Sequence, residues 1–266
     1  MMKDNMNIKD ILEWYIWAGV DETCGEIPLS LVSDKKTILS VVQDEVKVRP
    51  VISSLAQSTN GACQSAMDIC EKVVSLEELK NEVENFEGCA LKHTASKTVF
   101  GDGNPNARLL LIGEAPGADE DRIGMPFVGR SGQLLDKMMA AIGYNREDYY
   151  ICNILPWRPP GNRTPLDSEV AVCLPFLKKQ IDLVDPDFIF ILGGSAANSL
   201  LNMAETISKM RGRWFDYQKS NGKNAKVLAS FHPAYLLRSS GQKSKAWADL
   251  LRLKKAINDE NSAEHY

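Results

Sequence analysis

Four apolar runs in this 266-residue chain end beside a residue able to do chemistry. Glu114 follows RLLLIG (108–113), and Asn153 lies in YYICNIL (149–155) just ahead of the WRPPGNR loop. Gly193 and Gly194 close DFIFILG (187–193), and His232 follows KVLASF (226–231). An imidazole can donate to a developing oxyanion or move a proton near neutral pH. A primary amide donates and accepts side by side, which is what reading the edge of a nucleobase requires. A carboxylate can favour a developing cation and orient water.

The loops between these points carry more chemistry. GEAPGADEDRIGMPFVGRSGQ (113–133) has a tight turn at Gly113, Pro116 and Gly117, crowded by Glu114, Asp119, Glu120 and Asp121. It fits neither the dinucleotide fingerprint nor the P-loop. The acidic run is either a solvated surface or a loop reaching a ligand. Phe127, between two glycine-containing turns, is either core or a flat platform for a stacked base. Arg158 and Arg163, in the proline-rich NILPWRPPGNRTP (153–165), suit a phosphate or a surface ion pair. In FHPAYLLRSSGQKSK (231–245), Tyr235, Leu236 and Leu237 precede Arg238, Lys243 and Lys245. That reads as an unstacking wedge flanked by cations, or as a leucine pair packed in the core. His93 and His265 fall outside the strand-end set.

These residues need a scaffold that brings them to one rim. Helix candidates at 131–143, 167–184 (with Pro175 inside), 195–202 and 244–257 alternate with the four apolar runs. Continuous apolar strands alternating with helices predict a parallel sheet covered on both faces, an α/β/α fold with ligands at the carboxyl ends of its strands. Regular structure is expected to begin at Ser75, an N-cap with Glu78 three residues on. Residues 1–74 read as an N-terminal extension, with a short amphipathic helix over 8–19 and a flexible linker through the Ser-, Gln- and Asn-rich 33–70. Residues 75–258 form the domain and 259–266 a tail.

Composition sets the class. Hydrophobic residues make up 44% of the chain, ordinary for a packed core, and no run reaches the length of a membrane span. The net charge of −4 argues against a nucleic-acid partner. Its distribution does not: residues 1–74 hold 7 basic and 11 acidic side chains, whereas the remainder holds 24 of each. The six cysteines form no C-x-x-C pair, and the N-terminus lacks the basic region of a secretory signal. A cytoplasmic location with free thiols is the expectation.

GEAPGADED, PFVGRSGQLLD, YICNILPWRPPGNRTP and FHPAYLLR, in this order and spacing, resemble the family-4 uracil-DNA glycosylases of bacteria and archaea over roughly residues 75–258. The resemblance implies the uracil-DNA glycosylase fold, a central parallel sheet of four strands with helices on both sides. It implies hydrolysis of the N-glycosidic bond of deoxyuridine in single- or double-stranded DNA, releasing uracil and leaving an abasic site. By motif, Glu114 and Ala115 sit in the water-and-sugar loop, and Glu120 follows on the same loop. Phe127 corresponds to the stacking platform, Asn153 to the reader of the uracil edge and His232 to the residue facing uracil O2. Either Glu114 or Glu120 supplies the carboxylate, with Glu120 alternatively a gate against the thymine methyl. Leu236, Leu237 and Arg238 fall where the family enters the duplex, with Arg158, Arg163 and Lys243 as further DNA-facing cations.

One departure stands out. The family usually carries four cysteines that bind a 4Fe–4S cluster, at positions matching 86, 89, 157 and 173. This chain has Phe86, Cys89, Trp157 and Cys173, so the expectation is a monomeric member without the cluster. Base choice shifted to hypoxanthine or mismatched thymine, and a non-catalytic damage-binding relative, are the alternatives. Retention of both Glu114 and His232 weighs against the latter.

Overall fold

The structure is a computed structural model that describes residues 51–263, with side chains from 59 to 260. The amphipathic helix expected over 8–19 lies outside the described residues. The four apolar runs form the strands β2 (Leu109–Gly113), β3 (Tyr150–Asn153), β4 (Phe188–Leu192) and β6 (Asn224–Ser230). They lie in the order β3-β2-β4-β6 and pair in parallel throughout.

The sheet has six strands rather than the expected four. Two antiparallel edges complete it: β1 (Asp102–Gly103) on β3 and β5 (Trp214–Gln218) on β6. β1 is too short to show a pattern. The side chains of β5 alternate between exposed and half-buried, which is the look of an edge strand rather than of a buried run.

Alternate side chains serve two cores. Leu110, Ile112, Cys152, Ile189, Ile191, Val227 and Ala229 face one layer of helices, and Leu109, Leu111, Ile151, Phe190 and Leu228 face the other. The first layer contains α1 (Val51–Lys72), α2 (Leu76–Asn85) and α6 (Asp167–Val184); α6 runs as one element through Pro175. On the second face, α5 (Arg130–Ala141) and α10 (Lys243–Ala263) cover the sheet. Between α2 and α5 come α3 (Leu91–Thr94) and α4 (Ala118–Ile123), and α7 (Gly194–Leu201), α8 (Ile207–Met210) and α9 (Pro233–Arg238) complete the set. None of the described helices is long and apolar enough to cross a membrane.

α1 corrects the linker reading of 33–70 over residues 51–70; residues 33–50 lie outside the described residues. Ala62, Cys63, Ala66, Ile69 and Cys70 recur at helical spacing and pack on the core shared with α6. The apolar face is built largely of small residues among Ser, Gln and Asn, so hydropathy alone hides it. Ser75 caps α2 as expected, accepting from Glu78 N at 3.2 Å, but the Glu78 carboxylate reaches back to Val74 N (2.9 Å) instead of to the cap. At the other end, α10 continues to Ala263, past the expected boundary at 258.

The chain leaves β2 to β3 on one side and returns to β4 on the other. That reversal opens a crevice at the carboxyl ends of β2 and β4, where loops diverge.

Candidate active site

A cavity of about 470 Å³ occupies this rim. Glu114, Ala115 and Glu120 line it from the β2 loop, Asn153 from the end of β3 and His232 from the end of β6. Phe127, Arg163 and Arg238 complete the set of expected residues in its wall, together with Tyr235 and Ser131. Thus residues up to 124 positions apart in sequence share one concave surface, as the strand-end argument requires.

The back wall depends on two glycines. A Cβ at Gly113 would stand 2.4 Å from Asn153 Oδ1 and 2.5 Å from the Phe127 ring, so the bare strand end lets an amide and an aromatic face close over it. A Cβ at Gly132 would meet the Phe127 carbonyl oxygen at 1.8 Å. Phe127 itself has φ 53°, a left-handed backbone that a bulky residue adopts only when its surroundings impose it. The Arg146 guanidinium does so by donating to the Phe127 carbonyl at 2.5 Å. The Phe127 ring is 4% exposed and stands 5.7 Å from the His232 ring at an interplanar angle of 31°. Both sequence readings of Phe127 therefore hold: it belongs to the core and presents a face to the cavity.

His232 is the N-cap of α9, and its Nδ1 accepts from Ala234 N at 3.1 Å. That bond fixes the neutral tautomer with the proton on Nε2. Enclosure, reinforced by the Arg238 charge and opposed by Glu120, pushes its pKa down to about 4. The ring is thus a neutral hydrogen-bond donor at physiological pH. Asn153 is 5% exposed, and its buried Nδ2 has no hydrogen-bond partner. A buried amide donor left open costs about 1–3 kcal/mol until a ligand acceptor meets it.

The two candidate carboxylates differ in kind. Glu120 is buried and fully engaged: Oε1 accepts from Val128 N (3.0 Å) and Gly129 N (2.9 Å), and Oε2 from Gly117 N (3.1 Å). It ties the start of α4 to the start of α5 and so holds the loop that carries Phe127. Glu114 is half-buried, and desolvation raises its pKa against the opposing hydrogen bond from Ser195. Of the pair, Glu114 has the freer carboxylate facing the cavity. Ser195 escaped the sequence reading; its one signal was its position directly after the strand-end glycine pair.

The acidic run divides: Asp119 is exposed as a solvated surface residue, whereas Glu120 and Asp121 are buried. Asp121 is buried and accepts from Ser96 N (2.7 Å) and Lys97 N (3.3 Å), anchoring α4 to the chain ahead of β1.

Several of the residues expected to meet DNA have partners within the protein. Arg163 is held by Glu169 through two bonds of 2.9 and 2.5 Å, and Arg158 by Asn162 (2.7 Å), with Asp121 4.0 Å away. Arg163 is thus in an ion pair with Glu169 at the start of α6, while Arg158 is held chiefly by the amide of Asn162 in its own loop. Leu236 is 1% exposed and packs with Phe231 and Ala246, so it is core and no wedge. The turn of α9 sends its neighbour outward: Leu237 is 42% exposed, beside the exposed Arg238. Lys243 is exposed at the start of α10. Leu236→Ala is expected to cost about 2–5 kcal/mol in urea unfolding. Leu237→Ala should leave stability within about 0.5 kcal/mol and weaken duplex binding instead.

A six-stranded α/β sheet with an amide, an aromatic face, a neutral imidazole and a carboxylate at its rim defines a base-handling enzyme class. The chain belongs to the uracil-DNA glycosylase superfamily, whose family model matches residues 100–251. Among curated proteins it is 41% identical over 165 residues to a type-4 uracil-DNA glycosylase of Thermotoga maritima, covering 62% of this chain and 84% of that protein. It is also 41% identical over 167 residues to the type-4 enzyme of Archaeoglobus fulgidus, covering 61% and 83%. With the type-4 enzyme of Pyrobaculum aerophilum it shares 34% identity over 181 residues, covering 66% and 92%.

Proposed function

We propose that this protein is a monofunctional uracil-DNA glycosylase, hydrolysing the N-glycosidic bond of deoxyuridine in single- or double-stranded DNA. The observation that carries the reading is the unpartnered Asn153 Nδ2 in a cavity walled by Phe127 and His232. Uracil extruded from the stack meets the Phe127 ring, accepts from Asn153 Nδ2 at O4, donates its N3–H to Asn153 Oδ1, and accepts from His232 Nε2 at O2. Bond cleavage leaves negative charge on the base and positive charge on the sugar. The neutral imidazole stabilises the first, while Glu114, held by Ser195, faces the second and orients water. Cytosine reverses the donor and acceptor pattern opposite Asn153 and leaves buried groups unpaired. The protein is read as a cytoplasmic monomer acting in DNA repair.

The resident cluster of the family does not fit these residues. Cys89 and Cys173 stand with Sγ atoms 3.9 Å apart, but the other two positions are filled by rings. Phe86 packs edge-on against Phe176 at 4.9 Å, and Trp157 is 1% exposed and donates to Thr98 Oγ1 at 3.0 Å. Two thiols and two packed aromatics cannot supply the four thiolates of a 4Fe–4S centre. The mechanism above uses no step through it. The purified protein is expected to be colourless and essentially iron-free by metal analysis; about four irons per chain would reverse this reading.

The activity is tested with oligonucleotides carrying U, T, hypoxanthine or C, followed by alkaline cleavage of abasic sites. Strand scission at U alone is expected. Scission at hypoxanthine or T with U spared would shift the base assignment, and binding without scission would remove the enzyme.

A further inference from the structure

Beyond the base cavity the strand-end rim continues past β6 to a second, basic cavity of about 300 Å³. Arg211, Gly212, Ser244, Lys245, Asp249 and Arg252 line it. Its floor is rigid. Asp249 is fully buried, receives the Ser230 hydroxyl at 2.7 Å and binds Arg211 through bonds of 3.0 and 2.6 Å. Arg211 also donates to the Lys245 carbonyl, which ties the segment after α8 to the first turn of α10. Arg252 is pinned differently, by a bond to the Gly212 carbonyl.

The charges do not cancel. The single carboxylate of Asp249 pairs with Arg211 and also interacts with the Arg252 charge, so three cations face one anion, and among the described residues neither Lys245 nor Arg252 is within ion-pair distance of a carboxylate. Two exposed cations and the Ser244 hydroxyl therefore surround a preformed hollow. The hollow adjoins the base cavity through stacked groups. The Arg211 guanidinium lies 5.6 Å over the Phe231 ring, and Phe231 lies 5.1 Å from Tyr235, which lines the base cavity.

We propose that this cavity is a backbone-phosphate site for the strand carrying the target base, engaging a phosphate a nucleotide or two from the extruded one. The proposal rests on the glycosylase reading. Lys245 supplies a mobile point charge, and the fixed Arg252 guanidinium a directed donor. Together with Arg238 and Lys243 they form a cationic track along α9 and the start of α10. Arg158 and Arg163 differ from these cations in that their guanidinium groups are held by Asn162 and Glu169.

The test compares the full-length protein with Lys245→Ala/Arg252→Gln, in which glutamine preserves a donor for Gly212, and with Lys178→Ala on α6 as a distant charge control. For uracil release from an oligonucleotide, log kcat/KM is plotted against log salt concentration. The double variant is expected to lose about one unit of slope and about tenfold in kcat/KM at low salt. Its single-turnover rate at saturating DNA and its Tm should match the parent, and Lys178→Ala should behave as the parent. An unchanged slope overturns the proposal, as does a fall in saturating rate with KM unaltered. Inorganic phosphate that binds the parent tightly but not the double variant, with DNA slope unchanged, would assign a small-anion site instead and also overturn it. If the parent releases no uracil, the glycosylase reading fails separately. The slope is then read from anisotropy with a labelled, uracil-free strand, where a reduced slope in the double variant upholds the cavity and an equal slope removes it.

Discussion

Alanine at position 232 is expected to slow single-turnover uracil release by about 10²–10³, the usual cost of one donor aimed at developing negative charge. DNA affinity should change by no more than a few-fold, because the imidazole meets the extruded base and not the backbone. The expected pH behaviour follows from the ring's surroundings. Its Nδ1 is occupied by the Ala234 N–H, and its pKa is lowered to about 4, so a proton must break that bond and bury a charge near Arg238. Between pH 5 and 8 the ring stays neutral, and no limb with a midpoint near 6.5, the ordinary imidazole value, should arise from it. An acid limb is assigned to Glu114, whose pKa is raised by desolvation and whose ionised form faces the sugar cation. A limb near 6.5 that disappears in His232→Gln would contradict the neutral-donor role. Stability has the matching sign. The unfolded chain binds this proton near pH 6.5 and the folded chain only near 4, so His232 lowers stability as pH falls through that interval. His232→Gln should flatten that part of the stability curve.

The second large effect separates the two carboxylates by opposite signatures. Glu114→Gln should reduce the single-turnover rate by about 10²–10⁴, the span of a positioned acid–base group, while leaving Tm equal or higher. Its carboxylate is held partly desolvated, and an uncharged amide relieves that cost without leaving the Ser195 hydroxyl alone. Glu120→Gln should do the reverse in stability. The carboxylate accepts three backbone N–H groups with its two oxygens, whereas a glutamine has one acceptor oxygen and turns an NH₂ toward an N–H. A loss of about 1–3 kcal/mol follows, lowering Tm by several degrees, with activity falling through displacement of Phe127. Scanning calorimetry beside single-turnover assays decides it: equal Tm losses in both variants would refute the division of roles.

That division shows where sequence reading stops. The β2 loop was legible as a crowded acidic turn at a strand end, and Glu114 and Glu120 were both visible as candidates. Their roles depend on which carboxylate meets the backbone N–H groups of Gly117, Val128 and Gly129, and that depends on how the loop between them folds back, which residue types alone do not mark. The leucines behave the same way. Leu236 and Leu237 are chemically identical neighbours, and only the short α9 helix decides which one turns inward. The helix over 51–72 is hidden for another reason. α1 buries alanines and cysteines, whose small size suits close approach to α6 but contributes little to a hydropathy pattern.

By itself, the order of apolar runs determined the parallel sheet, the strand-end rim and three of its chemical residues, Glu114, Asn153 and His232, because a buried parallel strand needs continuous hydrophobicity and its carboxyl end must emerge in a loop. The tertiary structure alone decided the edge strands, the clamp at Glu120, the pairing of Arg163 and the open amide of Asn153. The edge strands join segments far apart in the chain, and the nearer pairings at Glu120 and Arg163 still depend on how the intervening loops fold back. Hydrogen bonds and desolvation act over a few ångströms, and only the packed fold sets those distances.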